Sequence, residues 1–212
     1  MAKKALKDYA QVSLKLEELG GRVDFGRIFR REGPVHIEIG SGKGTFLVSQ
    51  AGHDPDINFL GIEWSNKYYR FAVDRIGRWG LKNVRIIRTD AAYFLSECVP
   101  DSSVDWFHVY FPDPWPKKRH HKRRFVCVVN VGQMMRCLKN GGIIQIATDY
   151  VEYFEQIKAV IEGEKGRLEP VEFTRAVGAE NGEIIGANYE RKYVKDRSIY
   201  AIAVRKFHTT FR

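Results

Sequence analysis

The sequence has no run of about 18 or more apolar residues, so no membrane-spanning helix is expected. Its opening residues, MAKKALKDYA, lack the uninterrupted apolar stretch of a signal peptide, which points to a cytoplasmic protein with no membrane attachment. Cysteine is scarce: Cys98, Cys127 and Cys137 are odd in number and include no C-x-x-C spacing. A disulfide framework and a thiolate zinc site are both excluded on that ground, and the three are read as small buried hydrophobes. Internal repeats and low-complexity linkers are also missing, so the 212 residues are read as one domain, 1–212. Acidic residues are in deficit, 26 Asp plus Glu against 35 Lys plus Arg, and the formal charge of +9 favours a polyanionic partner. Nucleic acid leads among such partners, with an anionic membrane surface second.

Hydrophobic residues make up 44% and charged residues 29%, the balance of a globular chain rather than a disordered one. Leu6, Tyr9, Leu16 and Leu19 fall at near-helical spacing before Gly20-Gly21, which predicts a helix from about Ala5 to Leu19 within an N-terminal extension over 1–22. Short apolar runs at Val35–Ile39, Phe59–Ile62, Val84–Ile87, Val104–Phe111 and Ile143–Ala147 then alternate with helical patterns. The helices are expected near Thr45–Gln50, Asn66–Trp79, Ala91–Cys98, Arg124–Leu138 and Glu152–Glu162. Strand and helix in strict alternation mean a parallel sheet covered on both faces. Two further strands, Leu168–Phe173 and Ile199–Arg205, complete an α/β, doubly wound, mostly parallel seven-stranded sheet with an antiparallel C-terminal edge pair.

Ligands of such sheets bind beyond the carboxyl ends of the strands. Glu38-Ile39-Gly40-Ser41-Gly42-Lys43-Gly44 follows the first run, where Gly40, Gly42 and Gly44 let the chain turn and approach a nucleotide-like cofactor. The dinucleotide fingerprint is incomplete because Thr45 stands at its third glycine, and a phosphate-binding Walker loop fails at Ile37. Glu63 ends the second run, where a carboxylate can accept from ribose hydroxyls. Asp90 ends the third, within reach of an adenine amine, and Glu38 can face a cationic amino-acid end. Three acids suit the positive charge of S-adenosylmethionine and repel the pyrophosphate of a nicotinamide dinucleotide. The competing reading is that these acids cap helices.

Tyr110-Phe111-Pro112-Asp113-Pro114-Trp115-Pro116-Lys117 comes next. Prolines at alternate positions fix φ and remove donors, so the fourth run ends in a stiff turn that holds Asp113 at the carboxyl edge of the sheet. Trp115 either stacks on a target base or packs against the next helix. Lys117-Lys118-Arg119-His120-His121-Lys122-Arg123-Arg124 follows immediately, six cations and two histidines beside the turn, placed for phosphate contacts. The histidines have no cysteine or acidic companion at metal-ligand spacing, so no metal is expected.

E-I-G-S-G-K-G, G-I-E, the aspartate after the third run and above all F-P-D-P-W-P-K-K-R-H-H-K-R-R together resemble the bacterial tRNA (guanine-N7)-methyltransferase family, over about Asp24 to Arg205. The resemblance implies a Rossmann-like class I methyltransferase fold and methyl transfer from S-adenosylmethionine to N7 of guanosine 46 in the tRNA variable loop. It implies that Glu38, Glu63, Asp90 and Asp113 contact the cofactor, with Asp113 also catalytic. Lys117 and Asp149 are implied to contact the substrate, and Arg119, His120, His121, Lys122, Arg123 and Arg124 match the tRNA-binding region. The family's T-x-[FY]-E substrate motif aligns with Ala187-Asn188-Tyr189-Glu190, where the threonine is missing. Asn188, Tyr189 and Glu190 keep the remaining polar groups. The expected partner is tRNA and the expected state a monomer or homodimer. Three other readings stay open: methylation of another RNA base or amine, a nicotinamide oxidoreductase, and a noncatalytic RNA-binding module.

Overall fold

A computed structural model describes residues 5–180, 183–193 and 198–207; the outermost parts of the expected 1–212 domain and of its N-terminal extension lie outside the described residues. The chain runs through β1 (Ser13–Leu14), α1 (Phe25–Phe29), β2 (Val35–Ile39), α2 (Thr45–His53), β3 (Asn58–Glu63), α3 (Asn66–Trp79) and β4 (Val84–Arg88). It continues with α4 (Ala91–Tyr93), which widens into a π-type turn over Phe94–Cys98, then β5 (Val104–Tyr110), α5 (Val128–Cys137), β6 (Leu138–Thr148) and α6 (Val151–Glu162). β7 (Leu168–Val171), α7 (Asn188–Tyr193) and β8 (Tyr200–Lys206) end it.

These strands form one sheet in the order β1-β4-β3-β2-β5-β6-β8-β7. β1 to β6 are mutually parallel, and β8 runs antiparallel to both β6 and β7. From β2 the chain winds outward to β3 and β4, then returns to β5 on the other side of β2. That reversal opens a crevice at the carboxyl ends of β2 and β5, the place where doubly wound sheets take ligands. The strands are apolar on both faces because both are covered. Leu47, Val73 and Ile76 from α2 and α3 pack on Phe59 and Ile86, while Phe94, Met134, Tyr153 and Ile157 pack on Ile37, Phe107 and Ile144. Among the described residues no helix is long and apolar enough to cross a membrane.

Two expectations are corrected. No α-helix forms over Ala5–Leu19: the segment makes a turn at Tyr9–Val12, the two-residue strand β1 and a single tight turn at Leu16–Glu18. The sheet therefore has eight strands, with β1 added beside β4 through Ile86 N–H to Val12 C=O at 3.0 Å. Tertiary contacts outweigh the helical spacing here. Val12 is buried, the Lys7 amide donates to Asp74 at 2.9 Å, and the Tyr9 ring lies so close over Gly77 that no side chain would fit beneath it. Pairing also covers an otherwise open sheet edge. The helix expected over Arg124–Leu138 begins only at Val128, because Arg124 is extended (φ −61°, ψ 129°) and buried in another role.

Candidate active site

Gly40, Gly42 and Gly44 all have positive φ (78°, 54° and 68°), a conformation that side chains disfavour. At Gly44 a Cβ would also press to 3.1 Å from Ala72 Cβ, so this glycine lets α2 start against α3. At Gly40 and Gly42 a Cβ would meet open space, which leaves the backbone of this loop accessible from the crevice. The loop is held to the end of β3: Gly40 and Ser41 N–H donate to Ile62 C=O, and Gly42 N–H donates to Glu63 Oε2 at 2.7 Å. The other oxygen of Glu63 accepts from Ser65 N–H at 2.7 Å. Burial raises the Glu63 carboxyl above its ordinary range, the two amides oppose that shift, and the charge of Asp113 adds to it. Glu63 and Asp113, 50 residues apart in sequence, thus lie within electrostatic range of each other.

Glu38 lies 5% exposed at the end of β2, with Oε2 lacking any hydrogen-bond partner. Burial pushes its carboxyl up to about 8, against a hydrogen bond with Ser41. A buried, unpaired carboxyl costs stability unless a donor or cation reaches it. The residues of the crevice therefore fit a ligand with a cationic end: an orphaned acid at β2, an anchored acid at β3 and an open glycine loop between them. Asp90, at the end of β4, is exposed and caps α4 by accepting from Tyr93 N–H at 2.9 Å, so one of its oxygens is engaged in the competing role weighed above.

Below Glu38 runs a buried polar chain that spacing did not single out. His108 Nδ1 and Tyr110 Oη lie 2.8 Å apart, Tyr110 donates to Gln145 Oε1 at 3.1 Å, and His108 Nε2 lies 3.2 Å from His36 Nδ1. Burial holds His108 well below the usual histidine range and takes His36 down to about 4, so both rings are neutral near pH 7. They alternate along β2 and β5 on one face, a period-2 signal hidden among aromatic core residues.

The proline turn leaves β5 through Phe111 and ends at Trp115, both in left-handed backbone (φ 48° and 44°). Such values in bulky residues persist only where surrounding contacts hold them. Phe111 N–H donates to Ala147 C=O at 2.7 Å, and the Phe111 ring stacks on Tyr189 at 5.2 Å. Tyr189 in turn donates to Asp149, at the end of β6, at 3.5 Å. Asp113, between the two strained residues, is exposed just beyond the end of β5. Trp115 packs inside the basic loop, with the Arg123 guanidinium 4.9 Å over its ring and His120 edge-on at 5.9 Å.

Lys117 leads into a tight helical turn over Lys118–Arg123. Lys117, Lys118, Arg119, Lys122 and Arg123 are exposed, whereas His120 and His121 are half-buried, His121 lying 3.3 Å from Glu152. Arg124 is a correction. It is 3% exposed, and its guanidinium donates to Pro114 C=O and to Gln156 at 2.7 Å each, contacts Glu152 at 3.5 Å and lies 4.9 Å over the Tyr153 ring. A fork so enclosed has no donor left for a phosphate and instead ties the proline turn to α6. Glu190 is a second correction: 3% exposed, it accepts from the amides of Ile184, Ile185 and Gly186 at 2.7, 3.0 and 2.7 Å and anchors the approach to α7. Asn188 donates to Thr45 at the start of α2, which lays α7 across the glycine loop.

With this geometry in view, comparison with known proteins is informative. A family model described as "Putative methyltransferase" matches residues 32–197. A tRNA (guanine-N(7)-)-methyltransferase of Idiomarina loihiensis is 39% identical over 153 residues, 72% of this chain and 62% of that protein. One from Yersinia pseudotuberculosis serotype I is 40% identical over 164 residues, 77% and 68% of the two chains. The chain thus spans less than two thirds of the length of several relatives it matches. Among solved structures, a 30S ribosomal A1408 methyltransferase from an uncultured bacterium superposes with a TM-score of 0.60 at 17% identity, covering 88% of this chain and 95% of that one, a likeness of fold. By the family match and by its identity to these relatives, the chain belongs to the methyltransferase family that includes the tRNA (guanine-N(7)-)-methyltransferases.

Proposed function

We propose that this chain methylates N7 of a guanine in tRNA with S-adenosylmethionine as donor, the guanine being that at position 46 of the variable loop. The activity for which the relatives are named supports the reading, and so does the crevice. Glu38 offers a buried, unpartnered oxygen to the donor's ammonium, and the backbone of Gly40 and Gly42 is open beside it. Glu63 keeps lone pairs for ribose hydroxyls after accepting two amides. When bound, S-adenosylmethionine supplies a sulfonium methyl group that passes to the N7 lone pair, while the electrons of the broken C–S bond return to sulfur.

Guanine N7 carries no proton at neutral pH, so the protein needs no general base to uncover the nucleophile. Its residues work by placement and charge. Asp113 serves in one of two ways: it accepts from the donor edge of guanine, or its carboxylate faces the imidazole ring, where the purine gains positive charge. Pro112 and Pro114 hold Asp113 stiff, Arg124 grips the Pro114 carbonyl, and Phe111 is pinned by Tyr189. Lys117, Arg119, Lys122 and Arg123 take RNA phosphates beside the turn. We read the chain as one domain that works as a monomer or homodimer in the cytoplasm.

The observation that carries this reading is the proline-braced Asp113, exposed just beyond the end of β5, beside β2 with its buried, unpartnered Glu38 carboxyl. Incubation with radiolabelled S-adenosylmethionine and bulk tRNA, followed by nucleoside analysis, is expected to yield labelled 7-methylguanosine. Asp113→Ala is expected to cut turnover by at least about a hundredfold with an unchanged unfolding midpoint. Label in another nucleoside, or full turnover in the variant, would remove the proposal.

A further inference from the structure

The basic run accounts for one side of the crevice mouth only. It follows β5 and is fastened by Arg124 to α6, so it lies toward β6. On the other side, at the ends of β2 and β3, stand a second set of cations and rings that the proposed chemistry does not use. Lys43 stands in the glycine loop between Gly42 and Gly44, Lys67 and Tyr68 open α3, and Lys192 and Tyr193 end α7.

Their arrangement has three features. The three lysines are exposed, and none meets a carboxylate among the described residues, whereas Arg191 on α7 pairs with Glu183 and Arg78 on α3 with Asp74. Tyr68 and Tyr193 are 42% and 52% exposed, and lysine ammoniums lie over both, Lys67 at 6.0 Å and Lys192 at 4.9 Å. Lys43 and Lys192 line a common cleft, and Lys192 lies within electrostatic range of Tyr68, so the residues of three elements come to one patch. Finally, the patch is continuous with the catalytic turn: Tyr193 lies 5.1 Å from Tyr189, which stacks on Phe111. A cleft of about 410 Å³ between Lys43, Asn188 and Lys192 lies along this path.

Unpaired like charges held together repel one another in the free protein, and exposed tyrosine faces gain nothing from water. Both become favourable against a chain of phosphates whose bases can stack on the rings. We propose that Lys43, Lys67, Tyr68, Lys192 and Tyr193 form a second RNA-contact surface that takes a segment of the substrate separate from the one on the basic run. This rests on the reading of tRNA as substrate. The RNA crosses the crevice mouth and is held on both sides, with the target guanine between. A bare anionic membrane would use the lysines without the rings, and it has no reason to track into the turn.

The test uses the full chain and unmodified tRNA. Binding is followed by fluorescence anisotropy from about 50 to about 200 mM salt for the wild type, Lys67→Gln/Lys192→Gln and Tyr68→Ala. Calorimetry with S-adenosylmethionine and the unfolding midpoint report on the crevice and the fold. The double variant is expected to lose at least about tenfold in tRNA affinity, with a salt slope shallower by about 1.5 to 2, at unchanged cofactor affinity and midpoint. Tyr68→Ala is expected to lose affinity with the slope unchanged, as a stacking contact would. Equal tRNA affinity and slope in the double variant would overturn the inference while leaving the tRNA reading intact. A wild type that binds no tRNA would overturn both. Loss of binding to phosphatidylglycerol vesicles with tRNA affinity retained would assign the patch to a membrane and overturn it as well.

Discussion

Arg123 and Arg124 are neighbours in a run of cations, yet the fold gives them opposite tasks, and exchanging each separates the two. Arg124→Lys keeps the charge but replaces a planar fork by a single point of donation. The lysine ammonium can reach the Pro114 carbonyl or Gln156, hardly both, and it loses the flat contact with the Tyr153 ring. A hydrogen bond to a charged group contributes about 1.5–3 kcal/mol, and a desolvated cation–π contact about 2 kcal/mol or more. Since the shorter ammonium recovers part of this, a net loss of about 2–4 kcal/mol of folding stability is expected. Without its brace the proline turn holds Asp113 less well, so kcat should fall while KM for tRNA changes little. Arg123 is exposed and lies over the Trp115 ring, so Arg123→Gln should alter stability by less than about 0.5 kcal/mol. It should instead weaken tRNA binding and lower the salt slope by about one. Urea unfolding and a salt series on both variants decide the matter. If Arg124→Lys left stability intact and reduced the salt slope as Arg123→Gln does, the buried brace would be wrong and Arg124 would be a phosphate contact.

Glu38 makes stability fall with pH. Its folded value of about 8 lies above the ordinary 4.5, so between those values the unfolded chain has lost a proton that the folded chain keeps, and this group alone costs about 1.4 kcal/mol per pH unit across that window. Glu38→Gln should flatten that part of the profile in unfolding measurements from pH 5 to 8, and an unchanged slope would contradict it. In the wild type, uptake of an ammonium-bearing ligand near pH 7 should release a proton, seen as binding heats that differ between buffers of different ionisation enthalpy. Ala187→Thr should stabilise α7 by about 0.5–2 kcal/mol, since the Ala187 carbonyl already accepts from Arg191 N–H at 3.1 Å and position 187 is thus the N-cap. Greater amide-exchange protection over Asn188–Tyr193 is the readout, and equal protection would contradict the capping geometry.

What could be read from sequence is what backbone chemistry dictates locally. β-branched runs mark β2 to β6 within a few residues, glycines mark the loop after β2, and prolines at 112, 114 and 116 put Asp113 at a strand end. Each of these signals acts through φ or through alternation, which neighbours in the chain suffice to set. The N-terminal strand was illegible for the opposite reason. Leu6, Tyr9, Leu16 and Leu19 satisfy a helical spacing, but Tyr9 is spent on Gly77 and Val12 on β4, contacts more than 60 residues away. Nor can spacing separate Arg123 from Arg124. The tight turn ends at Arg123, and Arg124 leaves it in extended backbone; that it points inward depends on where Glu152, Tyr153 and Gln156 present their partners on α6.

The C-terminal motif carries the same lesson into the substrate side of the crevice. T-x-[FY]-E reads as a row of substrate contacts, yet threonine at an N-cap with glutamate at N3 is also the pattern that starts a helix. Here Glu190 sits at N3 and spends its carboxylate on three consecutive amides before the helix, which explains how α7 forms without the threonine. The helix thus started carries Asn188 to Thr45 and Tyr189 to Phe111, tying the first turn of α2 to the proline turn. Glycine loop and Asp113 turn belong to different strands, so their mutual placement depends on such cross-links. Glu190 therefore bears on substrate geometry from inside the protein, through the helix it starts, and loss of its carboxylate should loosen both sides of the crevice together.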